Sequence, residues 1–584
     1  MADTTKSEAA GLPQPVVEEV AFSRQGLTDI QKKVAGNRVE LLLEYPTVYI
    51  VYDKEKPHAY QVYVGETNNI EQRTRQHLED DPLRREDWRY LAESSASQLL
   101  VIGHPHFNKS LTLDIENNMM LYMSGVESVK KLNNRRENQQ NKYYTFKEKD
   151  KIFSAIWRKL HNFDPELFPI EEVVRDSALF KASPFHTLTK EQDHARELIL
   201  RRIQAALHVP QGHQLILVEG EAGSGKTVLL SSLFYQLWQL GEDKNYSEFN
   251  TANSYLLVNH NEQVKVYENI AAKLGMNTAN VSKPTAFINN EQTAAGVDVV
   301  LVDEAHLLWT QGKQSYRGEN QLDDILARAK VVVAVFDKKQ ILSREGYLTT
   351  NEIHKLEHHA KQQGNWIQFK QQLRMNASEA TQTWLTSLIE RHVVDPIPAD
   401  SSYDLKIFDD PVALYQAIQA KAQSKEHGLS RMLATFDWPY KNKPPKDGQL
   451  YRVTVGKLSL PWNLQLKPAK QQRGRMKRLA WAEQDQTIGE VGSTFTIQGF
   501  DLNYSGVIIG PSVKYRDGHV VFDPKASQNQ KATTRRTLAN GEKVYVDKEL
   551  LPNELNVLLT RGVNGLYIYA VDDALRAALL AAQS

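Results

Sequence analysis

The chain of 584 residues contains no cysteine. That absence excludes disulfide staples, thiolate metal ligands and a cysteine nucleophile, so any chemistry must come from oxygen and nitrogen side chains. Net charge is equally absent, with 71 basic side chains against 71 acidic ones. Attraction to a polyanion must therefore rest on a local patch. No apolar run approaches the roughly 18 residues of a membrane span. The start, MADTTKSEAAGLPQPVVEEV, lacks both the basic and the apolar stretch of a signal peptide. A cytoplasmic protein with no membrane partner is the expectation. Apolar content of 41% and charged content of 24% argue for globular structure, and the length suggests three or four folding units.

Three regions separate along the chain. Residues 1–40 read as a flexible polar leader, 41–147 as a compact unit, and 148–185 as a connector holding Phe163-Asp164-Pro165, Phe168-Pro169 and Ser183-Pro184. An α/β pattern follows, divided into 186–360 and 361–584. Its segments LILVEG, YLLVNH, DVVLVD and KVVVAVFD are continuous apolar runs, as expected of parallel strands buried on both faces. RMLATF, SGVIIG and GLYIYAV imply a second sheet of the same kind. Between 441 and 478 stand eleven Lys/Arg against one acid, Asp447. Tyr451, Trp462 and Trp481 lie in or beside this run, which points to a nucleic-acid surface with stacking aromatics.

Gly220-Glu-Ala-Gly-Ser-Gly-Lys-Thr227 fits G-x-x-x-x-G-K-[ST], with a strand before it and the amphipathic KTVLLSSLFYQLWQL after it. Gly220, Gly223 and Gly225 let backbone N–H groups close around phosphate oxygens at the positive end of a helix. Lys226 should reach the terminal phosphates of ATP, and Thr227 should sit on Mg²⁺. At the end of VVLVDEAH, Asp303 is the second Mg²⁺ candidate and Glu304 the group that orients an attacking water.

These residues sit in a series that resembles superfamily 1 helicases. HTLTKEQDHA resembles the adenine-reading segment, with Gln192 in the reading position. NHNEQVKVYENIA resembles motif Ia, DEAH motif II, and FDKKQ motif III with Asp337 and Gln340. QQLRM with Arg374, STFTIQGFD with Thr496, Gln498 and Gly499, and NVLLTRGVNGLYIY with Thr560 and Arg561 resemble motifs IV, V and VI. The resemblance implies two RecA-like lobes, ATP in the cleft, and Arg374 and Arg561 as arginine fingers. Only about 30 residues separate motif Ia from DEAH, so the large accessory insertion of processive helicases is missing from the first lobe.

Nearer the start, VYIVY (Val48–Tyr52) and YQVYVG (Tyr60–Gly65) flank a turn with Lys56-Pro57. Read as a hairpin, period-2 alternation puts Val48, Ile50, Val62 and Val64 on one face and lets Tyr49 and Tyr63 share the other. The following helix carries Arg73 and His77 four residues apart on one face. LLVIGHPHF gives another strand, and LDIENNMMLYM a helix with Glu116 beside the stripe Ile115, Met119, Tyr122 and Met123. This constellation resembles the GIY-YIG nucleases, with VYI and YVG as the two triplets. The resemblance makes Glu116 the metal-binding glutamate, and leaves Asn133 or Asn134 as the family's late asparagine. Arg73 can brace a phosphate with its planar fork. Tyr49 is the candidate base, needing its pKa lowered from near 10 by the metal and Arg73. Tyr63 and His77 would position water or leaving group.

The expected fold is therefore α/β: a small α+β GIY-YIG nuclease domain followed by two RecA-like parallel-sheet lobes. The whole resembles a prokaryotic family of uncharacterised fusions of these two parts. The function expected is Mg²⁺-dependent endonuclease action coupled to a helicase- or translocase-type ATPase. DNA rather than RNA is the expected partner, and defence against foreign DNA or repair are the roles that fit. The alternative is a nucleic-acid-binding ATPase switch whose N-terminal module grips without cutting. The oligomeric state stays open.

Overall fold

The computed structural model describes residues 12–34, 36–134, 142–208, 212–242, 249, 253–290, 296–313, 315–370, 372–424, 427–441, 443, 445, 448–476, 479–538 and 541–583. The chain divides into two units: Met1–Thr187 with Val266–Thr278, and Leu188–Lys265 with Ala279–Ser584. Among the described residues no helix is long and apolar enough to cross a membrane.

In the first unit, β1 (Val16–Ala21), β2 (Thr47–Lys56), β3 (Ala59–Thr67), β4 (Gln98–Gly103) and β5 (Val129–Leu132) form one sheet in the order β1-β4-β2-β3-β5. The β2–β3 hairpin sets Tyr49 opposite Gly65 and Val51 opposite Tyr63. Directly opposed residues share a face, so Tyr49, Val51 and Tyr63 enter one core with Trp88, Leu99 and Val101. Val62 and Val64 take the other face, where α5 (Lys109–Gly125) packs on β3. The helices α1 (Arg24–Lys33), α2 (Asn37–Leu43), α3 (Ile70–Glu79) and α4 (Glu86–Glu93) belong to the same unit, and of these only α3 was expected.

Two boundaries differ from expectation. The leader is not free: β1 pairs antiparallel with β4 from Val16–Gly103 to Ala21–Gln98, burying Val16 and Val20, and α1 buries Leu27 and Ile30. Residues 1–11 of that leader lie outside the described residues. The segment 148–185 is folded rather than a bare connector. Its helix α6 (Lys149–Phe163) buries Ile152, Phe153, Ile156, Trp157 and Leu160 at helical spacing, and Trp157 Nε1 donates to Pro169 O at 2.7 Å.

The second unit holds both parallel sheets. The first is β6 (Gln214–Gly220), β7 (Ser254–Val258), β8 (Val281–Ser282), β9 (Val297–Asp303), β10 (Ala329–Phe336) and β11 (Trp366–Phe369), ordered β11-β6-β10-β9-β7-β8. Its edge strand lies past the boundary expected at 360, because β11 pairs in parallel with β6, Phe369 beside Gly220. The second sheet is ordered Asp404–Ile407, Gly562–Ala570, Leu502–Ile509, Arg431–Ala434, Val491–Gly492, all parallel. Every apolar run read as a buried strand is one, at most 0–9% exposed along most of its length.

The basic run is built differently from expectation. Arg452–Val455 and Leu458–Pro461 form a small antiparallel hairpin. Trp462 is fully buried among Phe436, Val453 and Val491, and Trp481 joins the other core of this lobe. Neither indole is free to stack on a base, because each is consumed in closing a hydrophobic core. Lys446, Lys477 and Arg478 lie outside the described residues. Lys441, Lys443, Lys457, Lys467 and Arg473 are exposed.

Candidate active sites

In the first unit, α3 starts at Asn69, whose side chain accepts from Gln72 N at 2.9 Å. Ile70, Thr74 and His77 form its buried stripe, so the register that buries Ile70 also turns His77 onto the sheet. There Tyr49 Oη and His77 Nε2 are 2.7 Å apart, and Arg73 Nε donates to Tyr49 Oη at 3.3 Å. The Tyr49 and Tyr63 rings stand 6.2 Å apart, and His77 lies flat on Trp88 at 3.6 Å. Four of the expected residues therefore converge.

Gly65 explains the second triplet. A Cβ there would lie 2.3 Å from the Tyr49 ring and hydroxyl, so the phenol occupies the space a side chain would need. Of the two candidate asparagines, Asn134 is the one whose side chain reaches the sheet: its amide accepts from Val64 N at 3.0 Å and donates to Val64 O at 2.6 Å, clamping the strand that carries Tyr63 and Gly65. Asn133 bonds through its backbone to Val62 O instead.

Burial raises Tyr49 well above its ordinary range, Tyr63 adds to this, and Arg73 opposes it. The expected lowering by Arg73 alone is thus outweighed. Burial, then the Arg73 and Arg85 charges, lowers His77 to about 2, so the imidazole is neutral. Glu116 on α5 is near enough for its charge to act on both tyrosines. Burial first, then the neighbouring Glu66, raises Glu116 to about 8. Among the described residues no group of three or more His, Asp or Glu forms a metal cluster. Glu116 with Glu66 offers hard oxygen donors in a spot where carboxylates repel, which fits a Mg²⁺ that keeps most of its waters.

In the second unit the motifs meet at the carboxyl ends of neighbouring strands, β10 lying between β6 and β9. Lys226 Nζ donates to Gly220 O at 2.7 Å and Glu221 O at 2.8 Å, and stands 4.0 Å from Asp337. Thr227 Oγ1 donates to Asp303 Oδ2 at 3.3 Å. That hydroxyl–carboxylate pair matches a Mg²⁺ site beside a nucleotide. Gly223 and Gly225 have φ of 84° and 78°. A Cβ at Gly223 would strike Arg374, and one at Gly225 would strike Gln192 Nε2. Gln192 itself donates to Ser224 O at 3.1 Å, so the expected adenine reader also braces the loop.

Glu304 is in the left-handed region at φ 49°. Burial opposes its ionisation, but His306, Lys226, Arg561 and Arg374 outweigh that and hold it below the usual range. Arg374 pairs with Asp501 at 2.5 Å. Arg561 is wholly buried, and its Nη2 donates to Gln340 Oε1 at 2.9 Å. Gln340 in turn donates to Asp337 Oδ2 at 2.8 Å. Burial, then Arg374, lowers Arg561 to about 10, still a cation at neutral pH. Gln498 Nε2 reaches Gln340 O at 3.4 Å, and Gly499 at φ 84° leaves room for Gln263.

A cleft of about 970 Å³ opens beside these motifs, sharing His306 and Gln498 with them, and is lined by Lys265, Lys283, Lys313, Lys467, Arg473 and Lys531 with Trp309 and Phe495 and the acids Glu262 and Glu345. Lys313 Nζ sits 4.8 Å over Trp309 and Lys531 Nζ 4.1 Å over Phe495. Sequence reasoning missed Trp309 and Lys531, which carry no motif of their own, and Phe495, which lies within STFTIQGFD. It also missed Asp81, although its i,i+4 spacing from His77 was visible.

This geometry agrees with comparisons to known proteins. Residues 45–92 match the GIY-YIG catalytic domain, and residues 213–572 match the Schlafen group 3, DNA/RNA helicase domain. The chain therefore joins a nuclease-type domain to a helicase-like one. It belongs to the Schlafen group 3 helicase-domain family. A relative described as "Uncharacterized protein YPL245W" from Saccharomyces cerevisiae is 34% identical over 449 residues, covering 70% of this chain and 93% of that protein. A solved structure described as "Structure of Drosophila ORC bound to DNA" matches 38% of this chain and 56% of its own at 15% identity, with a TM-score of 0.19, too slight a likeness to carry an argument.

Proposed function

We propose that the protein is a Mg²⁺-dependent GIY-YIG endonuclease governed by a superfamily 1-type ATPase acting on DNA in the cytoplasm, in defence against foreign DNA or in repair. The observation that carries the nuclease half is the convergence of Tyr49, Tyr63, Arg73 and His77 on one face of the β2–β3 hairpin, with Tyr49 Oη bridging His77 and Arg73. Glu116, with Glu66 beside it, would hold Mg²⁺, which supplies charge to the scissile phosphate. Arg73 braces the phosphate and faces the charge that develops on it. Tyr49 receives the proton of the attacking water, and Tyr63 closes the site against Trp88.

For the ATPase, Lys226 meets the terminal phosphates and Glu304, kept ionised by its cationic surroundings, orients water. Arg374 and Arg561 supply the cations that the γ-phosphoryl group needs in the transition state, a contribution of about 10³–10⁵ in rate. Thr227 and Asp303 would hold the nucleotide's Mg²⁺. The basic cleft with Trp309 and Phe495 supports a single strand bound through phosphates and stacked bases.

The test is incubation of the full chain with end-labelled single- and double-stranded DNA and RNA, with Mg²⁺, with and without ATP. DNA cleavage that needs Mg²⁺ and responds to ATP is expected. No cleavage of any substrate would overturn the nuclease reading, and preference for RNA would overturn the choice of DNA.

A further inference from the structure

His77 touches a group that the nuclease reading leaves unused. Asp81, in the short 3₁₀ turn Asp81–Leu83 after α3, places its Oδ2 at 2.5 Å from His77 Nδ1. A carboxylate can only accept, so Nδ1 carries the hydrogen. With the imidazole neutral, Nε2 is then a bare lone pair, and it faces Tyr49 Oη at 2.7 Å. Tyr49 donates to His77, while Arg73 Nε donates to Tyr49 at 3.3 Å. Every hydrogen in the line is thereby assigned. Trp88, stacked on the ring at 3.6 Å and 13°, stops it from turning. His77 is 1% exposed and the Asp81 side chain 18%, so water cannot substitute freely for the carboxylate.

We propose that Asp81 is a positioning residue of the nuclease site, fixing His77 in the Nδ1–H tautomer so that Nε2 accepts the Tyr49 proton as Tyr49 takes one from the attacking water. The proposal rests on the nuclease reading above. Water oxygen bonds to phosphorus as the bond from phosphorus to the departing oxygen breaks. The water proton moves to Tyr49 Oη and the Tyr49 proton to His77 Nε2, while the ionised Asp81 at Nδ1 offsets the cost that burial and the Arg73 and Arg85 charges put on the imidazolium. The departing oxygen takes a proton from solvent, and His77 returns one to solvent, so one water is consumed per bond cut. The arrangement repeats, with a phenol in place of a nucleophile, the logic of a base held in one tautomer by a buried acid.

The plain alternative is that Asp81 merely ties off the end of α3. Asp81→Asn in the full chain separates the two, because a purely structural tie leaves the chemical step alone. We expect kcat for cleavage to fall by about 100-fold or more, with KM for the nucleic acid and the melting temperature held within about twofold and 2 °C. Asp81→Glu should recover part of the rate. In ¹⁵N-histidine-labelled protein, with His77→Gln assigning the signal, wild type should show a pyridine-like Nε2 that Asp81→Asn changes. An unchanged tautomer, or cleavage by Asp81→Asn equal to wild type, overturns the relay while the nuclease reading stands. A wild type that cuts nothing overturns that reading, and the catalytic role of Asp81 with it.

Discussion

Gly65 stands directly across the β2–β3 pair from Tyr49, and a Cβ on it would lie 2.3 Å from the phenol. Overpacking of this kind costs about 1–3 kcal/mol and is relieved by moving a side chain. Gly65→Ala should therefore push Tyr49 off His77 and Arg73. Cleavage is expected to drop by about 100-fold or more, with ATP hydrolysis, which belongs to the other unit, unchanged. Parallel assays of both activities on one preparation check this.

The buried Arg561–Gln340 bond makes a second prediction. A hydrogen bond to a charged group contributes about 1.5–3 kcal/mol. Gln340→Ala should lower kcat for ATP by about 10–100-fold, leaving nucleotide affinity within about twofold, because the arginine acts in the transition state. Equilibrium binding and steady-state hydrolysis separate the two.

Glu554 in the second lobe gives a pH prediction. Burial, then Asp437, raises it to about 7, and it accepts from Phe436 N at 2.5 Å and from Asn529 Nδ2 at 2.7 Å. Its unfolded value is near 4.3. The protonated folded state is therefore fully favoured below about pH 4.3 and loses on the order of 3 kcal/mol as pH rises through about 7. Glu554→Gln, with the Asn529 amide turned to pair with it, should flatten this loss. Melting curves of both proteins between pH 5 and 9 should converge at the acid end and separate at the alkaline end.

The cleft cations give a prediction in salt. Lys467 and Arg473 line it and are exposed. Replacing both with Gln should reduce the slope of log affinity against log salt for single-stranded DNA by up to about two phosphate contacts. Replacing exposed Lys441 and Lys443, which do not line the cleft, should leave the slope nearly unchanged. Titrations at four salt concentrations decide it.

Local pattern carried what local physics controls. The loop Gly220–Thr227 needs glycines at positive φ, and the strands β6, β9 and β10 are buried on both faces, so both features show in residue type alone. Tyr49, Tyr63, Arg73 and His77 were legible because period-2 and period-3.6 spacing fix which side chains meet. Long-range closure was not legible. VVEEVA becomes a strand only because β4 offers an edge, and Trp462 and Trp481 turn inward only because second-lobe cores need filling. Asn134 and Asn133 differ by one residue, and which of them reaches Val64 depends on where β5 ends.

In the proposed function one chain cuts nucleic acid at the Tyr49 site under the control of ATP turnover. The most direct measurement compares DNA cleavage by full-length wild type, Lys226→Ala and Glu116→Gln in Mg²⁺, with and without ATP. Wild type should cut at a rate that ATP changes, Lys226→Ala should cut at the ATP-free rate whatever the nucleotide, and Glu116→Gln should not cut. Undiminished cutting by Glu116→Gln, or identical ATP responses in wild type and Lys226→Ala, would contradict the account.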